Sequence, residues 1–124
     1  MELTGLLDQV VAAAKGAGEL LRNARQFETF VKEGHGNFVT SVDLASQAYL
    51  QERLAPLLPQ AHFMAEEQDA IVLKPGYNWI VDPLDGTANY LHGYRHSAVS
   101  IGLVRDDVGV LGVVYDPFAD ELYT

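Results

Sequence analysis

The sequence predicts an α+β domain in which two N-terminal helices pack on a largely antiparallel sheet. Along residues 3–21 apolar side chains recur every three or four positions, as in an amphipathic helix, and a second helical segment follows. The rest of the chain consists of short β-prone runs separated by turn residues. Helices followed by a run of strands are typical of layered α+β domains, and 124 residues correspond to about one domain.

The first helix is predicted from an apolar stripe that begins at Leu3 and ends at Leu21. Residues at this spacing lie on one face of a helix, which can then pack on a sheet. Gly16 and Gly18 interrupt the segment, and each lowers its helical stability by up to about 1 kcal/mol relative to alanine. We therefore expect a helix that is locally weakened near its C-terminal end.

The other elements follow from short apolar runs and the turn residues between them. A second helix is predicted from about Thr40 to Leu57, where Pro56 and Pro59 force a turn. The segment around Asp106 separates two β-prone runs that are expected to form a hairpin. In chain order the remaining predictions are a short strand at 27–31, a glycine-rich loop at 32–37, strands at 62–65 and 78–81, hairpin strands at 97–104 and 108–115, and a final strand from 121.

The composition limits the classes to which the protein can belong. It has no cysteine, so disulfides and thiolate metal sites are excluded, and any metal must be held by oxygen or imidazole. The net charge of −9 argues against nucleic-acid and anionic-membrane partners. An anionic substrate remains compatible with that charge, because bound cations would reverse the local sign. Without a secretory signal or a long apolar run in this sequence, we expect a cytoplasmic location.

The run from Trp79 to Tyr90 is the strongest indication of chemistry. An apolar, β-prone stretch leads to Asp82 and Asp85, and a Gly-Thr turn follows directly. Hard cations prefer clustered carboxylate and carbonyl oxygens, and the Leu84 carbonyl lies between the two aspartates in sequence. Phosphate prefers free backbone N–H groups of the kind found at turns and helix starts. The alternative is structural, since Asp82 can cap a turn and Asp85 can begin a β-turn before its glycine.

Two further acidic residues follow another predicted strand. Glu66 and Glu67 come directly after the apolar run at 62–65. If that strand lies beside 79–81, the acidic groups of both segments emerge at the same end of the sheet. Like charges placed together raise each other's pKa unless a cation sits between them. A solvated acidic loop is the alternative reading of these glutamates.

Two more candidates each have a structural alternative. Asp43 lies three residues after Thr40, a spacing that resembles a capping box. Its alternative role is to point into the acidic site, as a base or as the partner of a hydroxyl. Thr87 can cap a short helix that starts at Ala88, or its hydroxyl can polarise a water molecule. Trp79 is expected in the core rather than at a substrate platform.

Several better-known motifs are excluded. His92 and His96 have the spacing of a helical zinc pair but lack the accompanying glutamate. An EF-hand loop with Gly86 at its sixth position would need acids at Val81 and His92. The phosphate-cradling loop and the dinucleotide fingerprint are both absent. The D-x-D spacing of haloacid-dehalogenase phosphatases is not matched by two acids three residues apart.

Taken together, three segments resemble the inositol monophosphatase family. Residues 79–90 match its signature W-[IV]-[IV]-D-P-[IL]-D-G-T-x-N-[FY], and residues 65–67 resemble its G-E-E element with Ala65 in place of glycine. Residues 37–43 resemble its D-x-V-T-x-x-D element with Asn37 at the first position. The resemblance implies a layered α/β sandwich of the sugar-phosphatase type, of which residues 1–124 are the N-terminal part. The family's C-terminal half, with a further aspartate ligand in a W-D-x-x-[AG] element, is not in this sequence.

The resemblance also implies an activity. Family members are Mg²⁺-dependent phosphomonoesterases that hydrolyse inositol monophosphate or a related small sugar or polyol phosphate with metal-activated water. Two or three Mg²⁺ ions would be bound, with Mn²⁺ as a substitute. By the resemblance, the metal ligands would be Glu66, Asp82, Leu84 and Asp85, with Glu67 as a supporting or secondary metal contact. The catalytic residues would be Asp43, Thr87 and Glu66. Phosphate would be bound by Asp85, Gly86, Thr87 and Ala88, and Lys32 would lie in a mobile loop.

Two alternatives to this function remain. The chain could be a non-catalytic fragment or binding module that keeps the fold, since the downstream aspartate is missing. It could also belong with relatives that act on 3′-phosphoadenosine 5′-phosphate, fructose 1,6-bisphosphate or histidinol phosphate. Family members are usually homodimers, and an exposed strand edge would also promote association.

Overall fold

The structure, a computed structural model, describes residues 3–23, 29–31, 38–65, 74–85 and 98–124. Side chains are described for all of these except 29–31, 38–43 and 83–85. The described elements, in chain order, are α1 (Leu3–Asn23), β1 (Thr29–Val31), β2 (Phe38–Thr40), α2 (Ser41–Leu54), a 3₁₀-helix (Ala55–Leu57), β3 (His62–Ala65), β4 (Tyr77–Asp85), β5 (Ala98–Arg105), β6 (Val108–Asp116) and β7 (Glu121–Tyr123).

Both predicted helices are confirmed. Much of the buried face of α1 comes from the predicted stripe, through Leu6, Val10, Ala14, Ala17 and Leu21, and Ala13 and Gly18 complete it. Two predicted members of the stripe, Leu3 and Leu20, are exposed instead. Helix α2 begins at Ser41, and Pro56 stands in the 3₁₀-helix that ends it. The predicted second helix is therefore shorter as an α-helix, because proline lacks the N–H that an α-helical hydrogen bond requires.

The two helical glycines lie where α1 packs closely against other elements. A side chain at Gly16 would collide with the hydroxyl of Tyr49 on α2. A Cβ at Gly18 would lie 2.6 Å from Cε2 of Tyr115 on β6. The two glycines, which the sequence indicated as weak points of the helix, are thus required for close packing. The sequence alone does not reveal that requirement.

The sheet is largely antiparallel, as predicted. Its strand order is β3-β4-β5-β6-β7; β3 pairs with β4 in parallel, and the other three pairings are antiparallel. Strands β1 and β2 form a separate antiparallel pair. Strand β2 was not predicted, because three residues are too few to show an alternating pattern and its partner β1 is separated from it by six residues of the chain.

Strand β4 continues past the predicted end at Val81 and contains a β-bulge. Asp82 pairs with Ser100 and Asp85 with Ala98, so two residues of β4, Pro83 and Leu84, stand opposite one residue of β5. Proline cannot donate to the ladder, and within a sheet it is found at edges, at strand starts or at bulges. Pro83 is thus the local reason for the irregularity.

The hydrophobic core lies between the two helices and one face of the five-stranded sheet. Trp79 is 1% exposed, which confirms its prediction as a core residue. It packs in one cluster with Leu21 of α1, Leu50 of α2 and Leu103 of β5. Within the described residues, no helix combines the length and the hydropathy needed to cross a bilayer.

Candidate metal and phosphate site

The parallel pairing of β3 with β4 defines the candidate site. Cα partners run in register from His62 and Asn78 to Ala65 and Val81. Parallel strands that pair in this way end at the same edge of the sheet. The prediction that the 62–65 strand lies beside 79–81 is confirmed. Glu66 and Glu67 follow Ala65 directly in the chain and lie outside the described residues.

Asp82 is the predicted metal ligand whose side chain the structure describes. It is half-buried and follows Val81, which is 1% exposed. A carboxylate anchored in this way on a packed strand is held more firmly than one on a loop. Leu84 and Asp85 are described through their backbone only, as the last residues of β4.

The bulge changes which residues of β4 share a face. Successive residues of a regular strand alternate between faces, so two positions three apart fall on opposite sides. Here Asp82 and Asp85 pair with Ser100 and Ala98, which are two residues apart on β5 and so belong to one face. The extra residue therefore brings positions 82 and 85 to the same side of the ladder. Sequence reasoning missed this consequence, although Pro83 was the signal that could have found it.

Asp43 lies in the first turn of α2, which begins one residue after β2 ends at Thr40. The predicted helix start is thereby confirmed. The side chain of Asp43 is not described, so its capping and catalytic roles both stay predictions.

The remaining predicted site residues lie outside the described part of the chain. They are Lys32, Glu66, Glu67, Gly86, Thr87 and Ala88. Among the residues that the structure does describe, no three His, Asp or Glu side chains stand close enough to hold a metal ion. Of the candidate donors, the structure thus describes the side chain of Asp82 and the backbone of Leu84 and Asp85.

Two tyrosines on β6 and β7, near the opposite edge of the sheet, have raised pKa values. The Tyr115 hydroxyl donates to Asp120 Oδ1 at 2.7 Å, and this hydrogen bond, with burial, raises the pKa of Tyr115. The Tyr123 hydroxyl donates to Glu121 Oε2 at 2.6 Å, which raises the pKa of Tyr123. Both groups stay neutral near pH 7, so they serve as hydrogen-bond donors.

Comparisons with known proteins show which family the chain is similar to. The model of the inositol monophosphatase family matches residues 2–124. The chain is 39% identical to inositol monophosphatase 1 of Solanum lycopersicum, over 98% of this chain and 46% of that protein. It is 38% identical to the inositol-1-monophosphatase of Rhizobium meliloti, over 100% of this chain and 48% of that protein. The chain therefore spans about half the length of the curated relatives it matches.

Solved structures match the fold over the same half. The extragenic suppressor protein suhB from Bartonella henselae superposes with a TM-score of 0.84 at 32% identity, over 95% of this chain and 47% of that one. A structure described as an IMPase/NADP phosphatase complexed with Mg²⁺ and phosphate superposes with a TM-score of 0.87 at 26% identity, over 99% and 48%. The fold is thus the α/β sandwich that the resemblance implied, and the chain belongs to the inositol monophosphatase family.

Proposed function

We propose that this chain carries the metal- and phosphate-binding part of a Mg²⁺-dependent phosphomonoesterase that acts on inositol monophosphate or a related small sugar or polyol phosphate. The observation that carries the proposal is the parallel register of β3 and β4, followed by the bulge. Family membership supports the reaction class. A relative from Aquifex aeolicus, 36% identical over 115 residues, is named fructose-1,6-bisphosphatase/inositol-1-monophosphatase, which supports a phosphorylated sugar or polyol as substrate.

Chain connectivity supports a shared site for Glu66 and Asp82. The Cα of Glu66 is one peptide, about 3.8 Å, from that of Ala65. Ala65 is the Cα partner of Val81, the residue before Asp82, and paired strands lie about 4.8 Å apart. Glu66 thus follows Ala65 directly in the chain, just as Asp82 follows Val81, the Cα partner of Ala65. Register adds position 85 on the same face as Asp82.

The donor set fits a hard divalent cation. Glu66, Asp82 and Asp85 would contribute carboxylates and Leu84 a carbonyl, so every donor is oxygen, as Mg²⁺ and Mn²⁺ prefer. The chain has no thiolate that would select a softer metal. A family structure that contains Mg²⁺ and phosphate supports the same choice.

Different residues of the chain would then bind the phosphate and orient the attacking water. Backbone N–H groups of Gly86 and Thr87, beside Ala88, would hold the phosphate oxygens, since turns of this kind form anion-binding concavities. The Thr87 hydroxyl would donate a hydrogen bond to the Asp43 carboxylate, which leaves the threonine oxygen free to accept one from the attacking water. The chemistry that bound Mg²⁺ supplies at such a site is acidification of water and neutralisation of phosphate charge.

Metal binding by this chain tests the proposal. Asp82→Asn keeps the shape of the side chain and removes its charge, so we expect it to weaken Mn²⁺ binding, measured by calorimetry, by at least about 10-fold. Asp107→Asn makes the same chemical change at an exposed position in the β5–β6 turn and serves as the control. If Asp82→Asn binds Mn²⁺ as well as the unaltered chain does, the assignment of Asp82 is wrong.

A second candidate function is metal binding without catalysis. The observation that favours it for these 124 residues is that they match about half of each curated relative, so they can bind metal without holding every residue that turnover requires. Hydrolysis of inositol 1-phosphate in the presence of Mg²⁺ separates the two. Saturable Mn²⁺ binding with no turnover would support the binding module, and turnover that Asp82→Asn abolishes would support the phosphatase.

A further inference from the structure

A small cavity opens between α1 and α2, and its volume is about 220 Å³. Its lining consists of Gln9, Ala12 and Ala13 of α1, Tyr49 and Arg53 of α2, and Leu57 of the 3₁₀-helix. At about 30 Å³ for each water molecule, the cavity has room for about seven of them. Pockets for drug-sized molecules begin at about 300 Å³, so this cavity suits a smaller ligand.

The cavity contains a positive group whose orientation is fixed by a ring. The guanidinium carbon of Arg53 lies 5.1 Å from the centroid of the Tyr49 ring, within the ~6 Å of a cation–π contact. Tyr49 is itself held against α1 at Gly16, where an added Cβ would collide with its hydroxyl. The guanidinium is therefore oriented before any ligand arrives, which lowers the entropic cost of binding.

A second arginine stacks on a tyrosine in the same way but already has an acidic partner. The guanidinium carbon of Arg105 lies 5.2 Å from the centroid of the Tyr77 ring, and its Nε lies 4.0 Å from a carboxylate oxygen of Asp106. Acidic residues outnumber lysine and arginine by 17 to 8 in this chain. Even so, no described carboxylate forms an ion pair with Arg53. Its N–H donors thus remain available to an anion in the cavity.

The lining favours a carboxylate with a short apolar body. The planar guanidinium can donate two parallel hydrogen bonds to a carboxylate, and the Gln9 amide can donate another. Ala13 is buried and Leu57 is half-buried, so they offer apolar surface to an alkyl group. A phosphate dianion suits the cavity less well, because the net charge of −9 opposes a second negative charge.

We propose that the cavity between α1 and α2 binds a small monocarboxylate, with its carboxylate on Arg53 and its alkyl part against the apolar lining. The proposal is independent of the phosphatase function, because none of the residues that line this cavity belongs to the candidate metal and phosphate site. The competing explanation is that Arg53 is a solvated cation in the last turn of α2, where it stabilises the helix C-terminus. In that case no anion binds.

Two-dimensional ¹⁵N NMR of this chain tests the proposal, with butanoate as the probe. The buffer is free of metal ions, so that no bound cation attracts the probe elsewhere. We expect saturable shifts of the backbone amides of Ala12, Ala13 and Arg53. Butyramide has the same shape without the charge, and we expect it to bind at least about 10-fold more weakly. Inorganic phosphate should also bind more weakly than butanoate.

Two substitutions test the lining, each with a matched control. Arg53→Gln removes the charge and should weaken butanoate binding by about 10- to 100-fold. Arg105→Gln removes a ring-stacked arginine outside the cavity and should leave the dissociation constant unchanged. Ala12→Leu fills the cavity without altering its charge and should abolish binding. Ala45→Leu makes the same change at an exposed position of α2 outside the lining and should have no effect.

Each outcome decides the question. Weaker butanoate binding in both Arg53→Gln and Ala12→Leu, with unchanged binding in the two controls, supports the site. The proposal is overturned by the absence of saturable shifts, by unchanged binding in either lining variant, or by equal binding of butyramide. Tighter binding of inorganic phosphate than of butanoate overturns the carboxylate class. Thermal unfolding shows whether each variant is folded, and if Arg53→Gln is not, Ala12→Leu and the butyramide comparison decide.

Discussion

At the scale of single residues, the buried face of α1 depends on glycine where the helix meets β6. The ring of Tyr115 lies over Gly18, and it is held there by the bond from its hydroxyl to Asp120. The ring is buried, at 5% exposure, so it has little room to move aside. The contact explains why a residue that is unfavourable in helices stands inside one.

We expect Gly18→Ala to destabilise the protein. Alanine improves helix propensity by up to about 1 kcal/mol, but overpacking at a fixed ring costs about 1–3 kcal/mol, so the net loss is up to about 2 kcal/mol. Urea unfolding followed by circular dichroism measures it. Gly5→Ala is the control, because nothing lies within 4 Å of the added Cβ, and it should be neutral or stabilising. Equal effects of the two substitutions would contradict the packing explanation.

Tyr115→Phe should reveal a pH-dependent contribution. The bond to Asp120 raises the pKa of Tyr115 in the folded protein above the ordinary tyrosine value of 10.0. A raised pKa means that the folded state favours the protonated hydroxyl. Its contribution is therefore complete below pH 10 and is lost as the pH rises through the folded-state pKa. Phenylalanine should lower the free energy of unfolding by about 1 kcal/mol at pH 7.

The same variant should lose less stability than the unaltered chain when the pH is raised from 9 to 11. Urea midpoints across that range measure the difference. Tyr77→Phe is the control, because the contact that the structure gives for Tyr77 is between its ring and the Arg105 guanidinium, which phenylalanine keeps, and its hydroxyl has no hydrogen-bond partner among the described residues. Parallel pH profiles for Tyr115→Phe and the unaltered chain would show that the Tyr115–Asp120 bond contributes nothing in solution.

At the scale of elements, the β5–β6 hairpin turns through two residues in the left-handed region. Asp106 has a φ of 47° and Asp107 a φ of 68°. Two-residue hairpin turns of this kind favour Asn-Gly or Asp-Gly, because glycine adopts a positive φ without strain. The Asp106 carboxylate also accepts a bond from the backbone N–H of Gly76 at 2.8 Å. Asp106 therefore ties the hairpin to the start of β4, whereas Asp107 makes no such bond within the described residues.

Asp107→Gly should stabilise the protein by about 1 kcal/mol, because it relieves left-handed strain at a position whose side chain is exposed. Asp106→Gly should not, since it relieves similar strain but loses the bond to Gly76. Thermal unfolding of both variants gives the comparison. If Asp107→Gly lowers the melting temperature, strain at this turn is not what limits its stability.

At the scale of the whole molecule, β7 lies at one edge of the sheet that the described residues form. All three residues of β7 are exposed, and Tyr123 keeps 58% of its accessible surface. An edge strand with unpaired backbone groups promotes association with another chain. The net charge of −9 opposes it, because two copies repel each other at low ionic strength.

We therefore expect homodimerisation that strengthens with salt. Sedimentation velocity at 50 mM and 500 mM NaCl, over a range of protein concentrations, should show a larger dimer fraction at the higher salt. Tyr123→Lys places a charge on the edge strand and should weaken the dimer, whereas Glu52→Lys, on the exposed surface of α2, should not. A monomer under all conditions would contradict the expectation.

Local information in the sequence determined the helices, most strands and the motif residues. The α1 stripe follows from the spacing of apolar residues, and the hairpin follows from alternating residues on either side of Asp106. The chemical hypothesis follows from one contiguous run, from Trp79 to Tyr90. Each of these signals lies within a few residues, where side-chain direction depends only on backbone period. That is why the fold class and the family were accessible without coordinates.

The tertiary structure decided what depends on partners distant in sequence. Only pairing shows that β3 runs parallel to β4, that the bulge at Pro83 places positions 82 and 85 on one face, and that Ser100 stands opposite Asp82. The same holds for Gly18, which is required because the ring of a tyrosine on β6 packs against it. Register and close packing arise from contacts between segments far apart in the chain. The residues next to a given position in the sequence do not determine which distant residue it will contact.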